Sequence, residues 1–599
     1  MANLSQEKRQ RMLAFLDTIR QEHKDDDDVL IALGEIESEL NAKKYGLVWE
    51  QHEEAVDVMM RTHIPVFTED AGKEITTSAG GVYNFLLEGD NLHSLRLLEK
   101  THRGRIDVIY IDPPYNTGSR DFKYDDAFVD KNDSFSHSKW LSFMEARLQI
   151  AKQLLSDRGS IFISIDDNEQ APLKMLCDEI FGETCFVADI AWQRAYSPRN
   201  DSKGISNEKE HILVYSRTEG WSPKKLPRTE KMNSKYKNPD NDVALWRTSD
   251  AFAPSAATHQ GMVYAIQHPF TGNLIYPYNG ACWPLRQSDM LAVMQEWGEY
   301  ELKDLNDAEA RAAVCGISAE AVREGVMGIV LVKPIEEARK YAQEVYDRGR
   351  WPRFFFTNKG KGGIARKTYL DNTDGRVVTN LWPFEETGHT DEAKKEIKAI
   401  FDNQKVFDTP KPIRLLDRII HIASFDDSVI LDFFAGSGTT AHAVMQYNQA
   451  HEGSNRQFIL CTNNEANICE EVTYERIRRV VNGYGKADGI PANLKYYRTD
   501  FVARDEEYLS DALLEHIAEM VQLEHGVRID GQHYIMVMSD EEADALEQNW
   551  SNYTDVQAMY ISKNVLFTSS QVSLFKETAQ FIIPDYYFNF ELREEGETW

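Results

Sequence analysis

Ile106-Asp107-Val108-Ile109-Tyr110-Ile111-Asp112-Pro113-Pro114-Tyr115 is the stretch on which the fold turns. Its apolar run reads as a buried strand. Two prolines cannot continue a sheet ladder, so the strand stops there, and a carboxylate and an aromatic ring leave it on a rigid turn. In open α/β sheets that carboxyl edge is where ligands bind. An acceptor, a fixed turn and a ring face suit the grip of a planar, amine-bearing ring.

Working outward, strands alternate with helices, which implies a parallel sheet. Phe85-Leu86-Leu87 leads to Glu88-Gly89-Asp90-Asn91 and a helix with Leu92, Leu95 and Leu98. After Tyr115 comes a helix with Leu141, Met144, Leu148, Ala151 and Leu155, then the strands 160–167 and 211–215. From 218 to 395 the regularity is lost to aromatics, prolines and basic loops, which reads as an inserted domain. The α/β pattern resumes with a helix at Leu415, Leu416, Ile419 and Ile420 and the strand Val429-Ile430-Leu431-Asp432. Residues 1–62 read as two polar helices, with stripes Leu13, Phe15, Leu16, Ile19 and Leu30, Leu33, Ile36, Leu40, and 501–599 as a separate acidic α/β unit. The resulting domains are 1–62, 63–217, 218–395, 396–500 and 501–599.

The chain of 599 residues has a net charge of -30, which at first argues against nucleic acid. The excess sits at the ends: 20 acidic against 5 basic residues in 501–599, and 14 against 7 in 1–60. Basic loops in the middle can still meet phosphates. Six scattered cysteines with no CxxC pair argue against a disulfide scaffold or zinc site and fit a reducing cytoplasm; no metal is expected. No apolar run reaches the roughly 18 residues of a membrane span.

Asp432-Phe433-Phe434-Ala435-Gly436-Ser437-Gly438-Thr439-Thr440 lies where a strand turns into a helix. Its glycines let backbone approach a ligand, and the helix start offers free N–H groups to an anion. It is not a Walker loop, because no Lys precedes Thr439. The two motifs together resemble the S-adenosylmethionine-dependent amino-methyltransferases of DNA. Their order, 112 before 432 with an insertion between, resembles the circularly permuted β class of N6-adenine methyltransferases. Asp408-Thr409-Pro410-Lys411-Pro412, Thr462-Asn463-Asn464-Glu465 and the acidic tail resemble the modification (Mod) subunit of type III restriction–modification systems.

The resemblance implies a permuted Rossmann-like α/β core with an inserted target-recognition domain, N-terminal helices and a small C-terminal α/β domain. It implies methyl transfer to the N6 amine of a flipped-out adenine, for restriction–modification or phage defence. Asp112 and the Pro113 carbonyl would accept the amine's hydrogens, Pro114 would hold the turn, and Tyr115 would stack on the base. The cofactor would meet Asp432, Phe433, Gly436, Gly438, Thr439 and Thr440, with Asp90, Asn91 and Lys411 nearby and Asn463 or Glu465 at the ribose. For Asp90 and Asn91 a plain helix cap is the alternative. DNA contacts are expected from Arg194, Arg199 and Lys203 and from Lys359, Lys361, Arg366 and Lys367, a basic glycine-containing loop. His268-Pro269-Phe270-Thr271-Gly272 and Trp283-Pro284 resemble recognition-domain motifs, although such aromatics also suit a core. Expected partners are double-stranded DNA, a second copy of the chain, and a separate restriction–helicase subunit, in a bacterial cytoplasm on the nucleoid. The rivals are an N4-cytosine methyltransferase, which usually carries Ser-Pro-Pro-Tyr, and a DNA-recognition subunit without activity.

Overall fold

The computed structural model describes residues 4–24, 26–41, 49–78, 81–118, 123–124, 127–128, 135–198 and 204–596. They divide into two compact units: Met1–Lys224 with Thr379–Trp599, and Lys225–Val378. The boundary falls inside the insertion read from sequence.

The first unit is built on ten strands. In chain order these are β1 (His63–Glu69), β2 (Tyr83–Glu88), β3 (Ile106–Ile111), β4 (Leu155–Ile165), β5 (Phe186–Gln193), β6 (Lys209–Ser216), β7 (Leu381–Trp382), β8 (Val429–Asp432), β9 (Gln457–Thr462) and β10 (Asn493–Ala503). Across the sheet the order is β1-β10-β2-β9-β8-β3-β4-β6-β5-β7. The six strands from β10 to β4 run parallel, and β1, at one edge, pairs antiparallel with β10. β6 pairs antiparallel with both β4 and β5.

The register between β8 and β3 positions the site. Ile430 sits opposite Val108 and Leu431 opposite Ile109, so Asp432, the last residue of β8, and Asp112, the residue after β3, leave the sheet from adjacent strands. All six β3 residues are buried, as a strand covered on both faces requires.

Helices α1 (Leu4–Glu22) and α2 (Asp27–Asn41) form the N-terminal pair, joined by Arg20 to Glu37 at 2.6 Å. Asp26 caps the second, accepting from the Val29 N–H at 3.2 Å; Asp25, part of the same acidic run, lies outside the described residues. The sheet is covered by α3 (Asn91–His102), α4 (Ser136–Leu154), α5 (Gln170–Phe181), α6 (Ile413–Ala423), α7 (Thr439–Ala450) and α8 (Glu475–Asn482). Leu415, Leu416, Ile419 and Ile420 of α6 are all buried, the 3.6-residue stripe read from sequence.

The tail forms a small parallel sheet of Tyr534–Val537, Ala558–Ser562 and Ala579–Ile583. It is less separate than expected. Tyr587, Phe588 and Leu592 join the core that holds Leu95 and Ile109, and Lys100 pairs with Glu591 at 2.5 Å.

The second unit has its own aromatic core of Trp246, Tyr264, Phe270, Trp283, Trp297 and Phe354 to Phe356. Both recognition-like motifs lie inside it. The Nδ1 of His268 accepts from the Phe270 and Thr271 N–H groups, which fixes the turn. Among the described residues this unit has three small sheets: Phe354–Phe356 with Ile364–Tyr369 and Trp246–Asp250, one of four short strands, and a two-stranded pair, Ala253–Pro254 with Ala281–Cys282.

Candidate active site

The 112–115 turn is held from three sides. The Trp140 indole N–H of α4 donates to the Pro114 carbonyl at 2.7 Å. Asn116, left-handed at φ 56°, donates to Glu169 at 2.6 Å, and His137 meets the same carboxylate oxygen at 2.6 Å. Glu169 is fully buried, and burial raises its pKa. The turn that presents Asp112 is thus rigid before any substrate arrives.

Asp112 does not stand alone. The Lys411 ammonium lies 2.5 Å from Asp112 Oδ1 and 2.8 Å from the Tyr115 hydroxyl, 299 residues away in sequence. The Tyr115 hydroxyl is 2.8 Å from Asp112 and 3.1 Å from Glu210 of β6. Glu210 is buried, and Arg194 donates to its other oxygen at 2.8 Å. Burial raises the pKa of Asp112, with Lys411 pulling it down and Glu210 pushing it up. Burial works against the charge of Lys411, yet the two carboxylates hold its pKa above the ordinary value. Two carboxylates and two cations make a closed set, which is how buried charge is tolerated.

The second loop leaves β8 at Asp432. This carboxylate accepts from the Phe434 N–H at 3.0 Å and the Thr440 hydroxyl at 2.5 Å. Burial pushes its pKa to about 7. Gly438, at φ 71°, precedes α7, and a Cβ there would come within 3.2 Å of Thr473. Gly436, at φ 47°, would meet the Phe407 ring at 3.2 Å. Both positions need glycine for conformation and for space. The Thr439 hydroxyl receives Arg476 at 2.7 Å and the Thr440 hydroxyl serves Asp432, so the side chains brace the loop. What the helix start can offer a ligand is its backbone N–H groups. Phe433 is packed in the core, while the neighbouring Phe434 is only partly buried.

Asp90 and Asn91 lie at the start of α3, beside the glycine loop. Asp90 caps α3 through the Leu92 N–H at 2.8 Å, and Asn91 donates to the Phe433 carbonyl at 2.8 Å, tying α3 to the glycine loop. Arg147, fully buried, joins Asn91 at 2.5 Å, Asp90 at 3.3 Å and Glu54 at 2.6 Å. Asn463 and Glu465 are exposed past the end of β9, and Asn464 between them caps the next turn through the Cys469 N–H at 3.1 Å.

The expected DNA contacts divide. Lys359 and Lys361 are exposed, and Arg366 is half-buried. Lys367 is corrected: its ammonium is fully buried, 2.5 Å from both Asp240 and Asp242, so it is a structural ion and cannot reach a phosphate. The loop before it is braced as well, since Gly360 packs on the Phe270 ring and the Gly362 carbonyl lies 3.1 Å from His268. Arg194 is committed to Glu210, and Arg199 and Lys203 lie outside the described residues. Among the described residues no cluster of ligating side chains could hold a metal ion.

Glu210 and Arg147 were missed by sequence reasoning, though both carry a signal. Glu210 is in phase with the buried Ile212 and Val214 on β6, and Arg147 lies on the apolar stripe of α4 beside Met144 and Leu148. A charge in phase with a buried face requires a partner.

A family described as DNA methylase matches residues 106–273 and 332–473, which include both loops. The type III restriction–modification enzyme StyLTI Mod subunit of Salmonella typhimurium is 33% identical over 469 residues, 72% of this chain and 62% of that one. The type II methyltransferase M.KpnI of Klebsiella pneumoniae is 31% identical over 417 residues, 69% of this chain and 87% of that one. The EcoP15I Mod subunit of Escherichia coli is 28% identical over 463 residues, 71% and 65% of the two chains. The chain thus spans under two thirds of the length of the two Mod subunits.

Proposed function

The chain belongs to the DNA methylase family, and on that premise we propose that it transfers a methyl group from S-adenosylmethionine to the N6 amine of an adenine flipped out of duplex DNA. The observation that carries this reading is Asp112 on its braced turn, one strand from the glycine loop. An adenine amine is a weak nucleophile because its lone pair is delocalised into the ring. The Asp112 carboxylate and the Pro113 carbonyl would accept its two hydrogens and draw the nitrogen towards tetrahedral geometry. Tyr115 would stack on the extruded base. The aspartate in first position supports adenine over cytosine.

The residues present fit the methyl donor. Gly436 and Gly438 hold left-handed turns that a side chain would force against Phe407 and Thr473, which keeps the loop tight, and the start of α7 would offer its backbone N–H groups to the donor's carboxylate. The donor supplies an electrophilic sulfonium methyl. Asp432, by bracing Phe434 and Thr440, would keep the loop open to it; orientation of the two reactants supplies much of the rate.

The Mod-subunit relatives support a place in a type III-like restriction–modification system, acting on nucleoid DNA in a bacterial cytoplasm. A separate restriction subunit and a second copy of this chain would be its protein partners. Lys359 and Lys361 would meet phosphates. The test is transfer of labelled methyl to unmodified DNA, with Asp112→Ala as control, followed by methylation-sensitive sequencing of a host expressing the protein. N6-methyladenine in one short motif is expected. N4-methylcytosine would replace the adenine reading, and binding of duplex without transfer would sink the enzyme.

A further inference from the structure

Glu210 is a buried carboxylate at the reacting turn to which the chemistry above gives no task. Its two oxygens face different ways. Oε1 is anchored by Arg194 at 2.8 Å, and Oε2 faces the Tyr115 hydroxyl at 3.1 Å and the Lys411 ammonium at 3.5 Å. Lys411 meanwhile sits 2.5 Å from Asp112 Oδ1. That contact has a chemical consequence. An ammonium at this distance competes for the electron density that Asp112 needs in order to accept an amine hydrogen. Lys411 is buried and cannot simply be turned out into water; any displacement needs a second anion within reach. Glu210 offers one about 1 Å further away, already fixed from behind by a cation.

We propose that Glu210 is a positioning residue that takes over the Lys411 ammonium when the substrate amine engages Asp112, while keeping the Tyr115 ring aligned for stacking. The inference rests on the methyltransferase reading. The groups facing Glu210 are Asp112 and Tyr115 from the turn, Lys411 from the segment before α6 and Arg194 past β5. Asp166, at the end of β4, feels its charge as well.

The test is single-turnover methyl transfer across pH for wild type, Glu210→Gln and Arg194→Gln in the full chain, with donor binding by calorimetry as a check of folding. Glu210→Gln keeps an acceptor for Tyr115 but not the anion. Its transfer rate should fall by about tenfold or more, with donor affinity unchanged. The acidic limb should also move to lower pH, because the Glu210 charge is one of the causes that raise Asp112. Arg194→Gln, which loosens Glu210 but leaves its charge, should slow transfer less and leave the limb in place. A Glu210→Gln enzyme with wild-type rate and limb overturns the inference, as does a slower one with an unmoved limb. A wild type that transfers no methyl overturns the proposed function, and this inference with it. An active wild type beside an unaffected variant overturns the inference alone.

Discussion

Asp112 and Asp432 end neighbouring parallel strands, and each leads into a loop that the sequence marks as functional. Burial pushes both pKa values up, but their partners differ in kind. Asp112 faces an ammonium, which opposes the shift and favours the charged form. Asp432 faces a hydroxyl and an N–H, and burial takes it to about 7. On the proposed function, one carboxylate would serve as an acceptor for an incoming amine, while the other braces its own loop. The same residue type at two adjacent strand ends meets different partners, an ammonium in one case and a hydroxyl and an N–H in the other.

The sharpest way to break this contrast is Asp112→Ala. It should reduce methyl transfer by about 10²-fold or more while leaving donor binding intact, since the amine loses an acceptor but the glycine loop is untouched. Radiolabel transfer and calorimetry on the same preparation check both halves. Next comes Lys411→Met, which makes Asp112 more like Asp432. With the ammonium gone, burial and Glu210 act on Asp112 against the Tyr115 hydrogen bond alone, so the acidic limb of the transfer rate should move to higher pH and the rate at neutral pH should fall by about tenfold. A limb that stays put would show that Lys411 does not govern Asp112.

Gly438→Val probes the other loop. A β-branched residue at φ 71° adds roughly 1–2 kcal/mol of backbone strain as well as a contact with Thr473. Donor affinity should drop about tenfold, a 1.4 kcal/mol effect, and the melting temperature should fall. Asp432→Asn has the smallest expected effect and tests the sign of the shift. A carboxyl raised in the folded state from 3.8 to about 7 loses stability as pH rises between those values, because the unfolded chain releases its proton first. Wild-type unfolding free energy should therefore decline over that window more steeply than that of Asp432→Asn, measured by urea unfolding at several pH values. Parallel curves would place the Asp432 pKa near its ordinary value.

Much of the α/β pattern was legible. The β3 run, the proline stop, the α6 stripe and the glycine loop each carry local rules of backbone geometry and periodicity, which neighbours in sequence suffice to express. The partners of the site were not. Lys411 was read as cofactor-proximal, and its contacts with Asp112 and Tyr115 carried no signal in the sequence. Lys367 was read as a phosphate contact, but it is buried between Asp240 and Asp242. The basic character of 359–367 is identical on paper for an exposed and a buried lysine. Only the pairing of Ile364–Tyr369 with Trp246–Asp250 turns Lys367 inward.

By itself the sequence determined where the strands stop, where glycine is required and which chemical groups stand at each stop, because those are properties of short segments. Tertiary structure alone decided which charges meet. The β8–β3 register placed two loops distant in sequence side by side, and β6 brought Glu210 to the Tyr115 hydroxyl. Electrostatic roles depend on distance and burial, and neither is a property of a segment on its own.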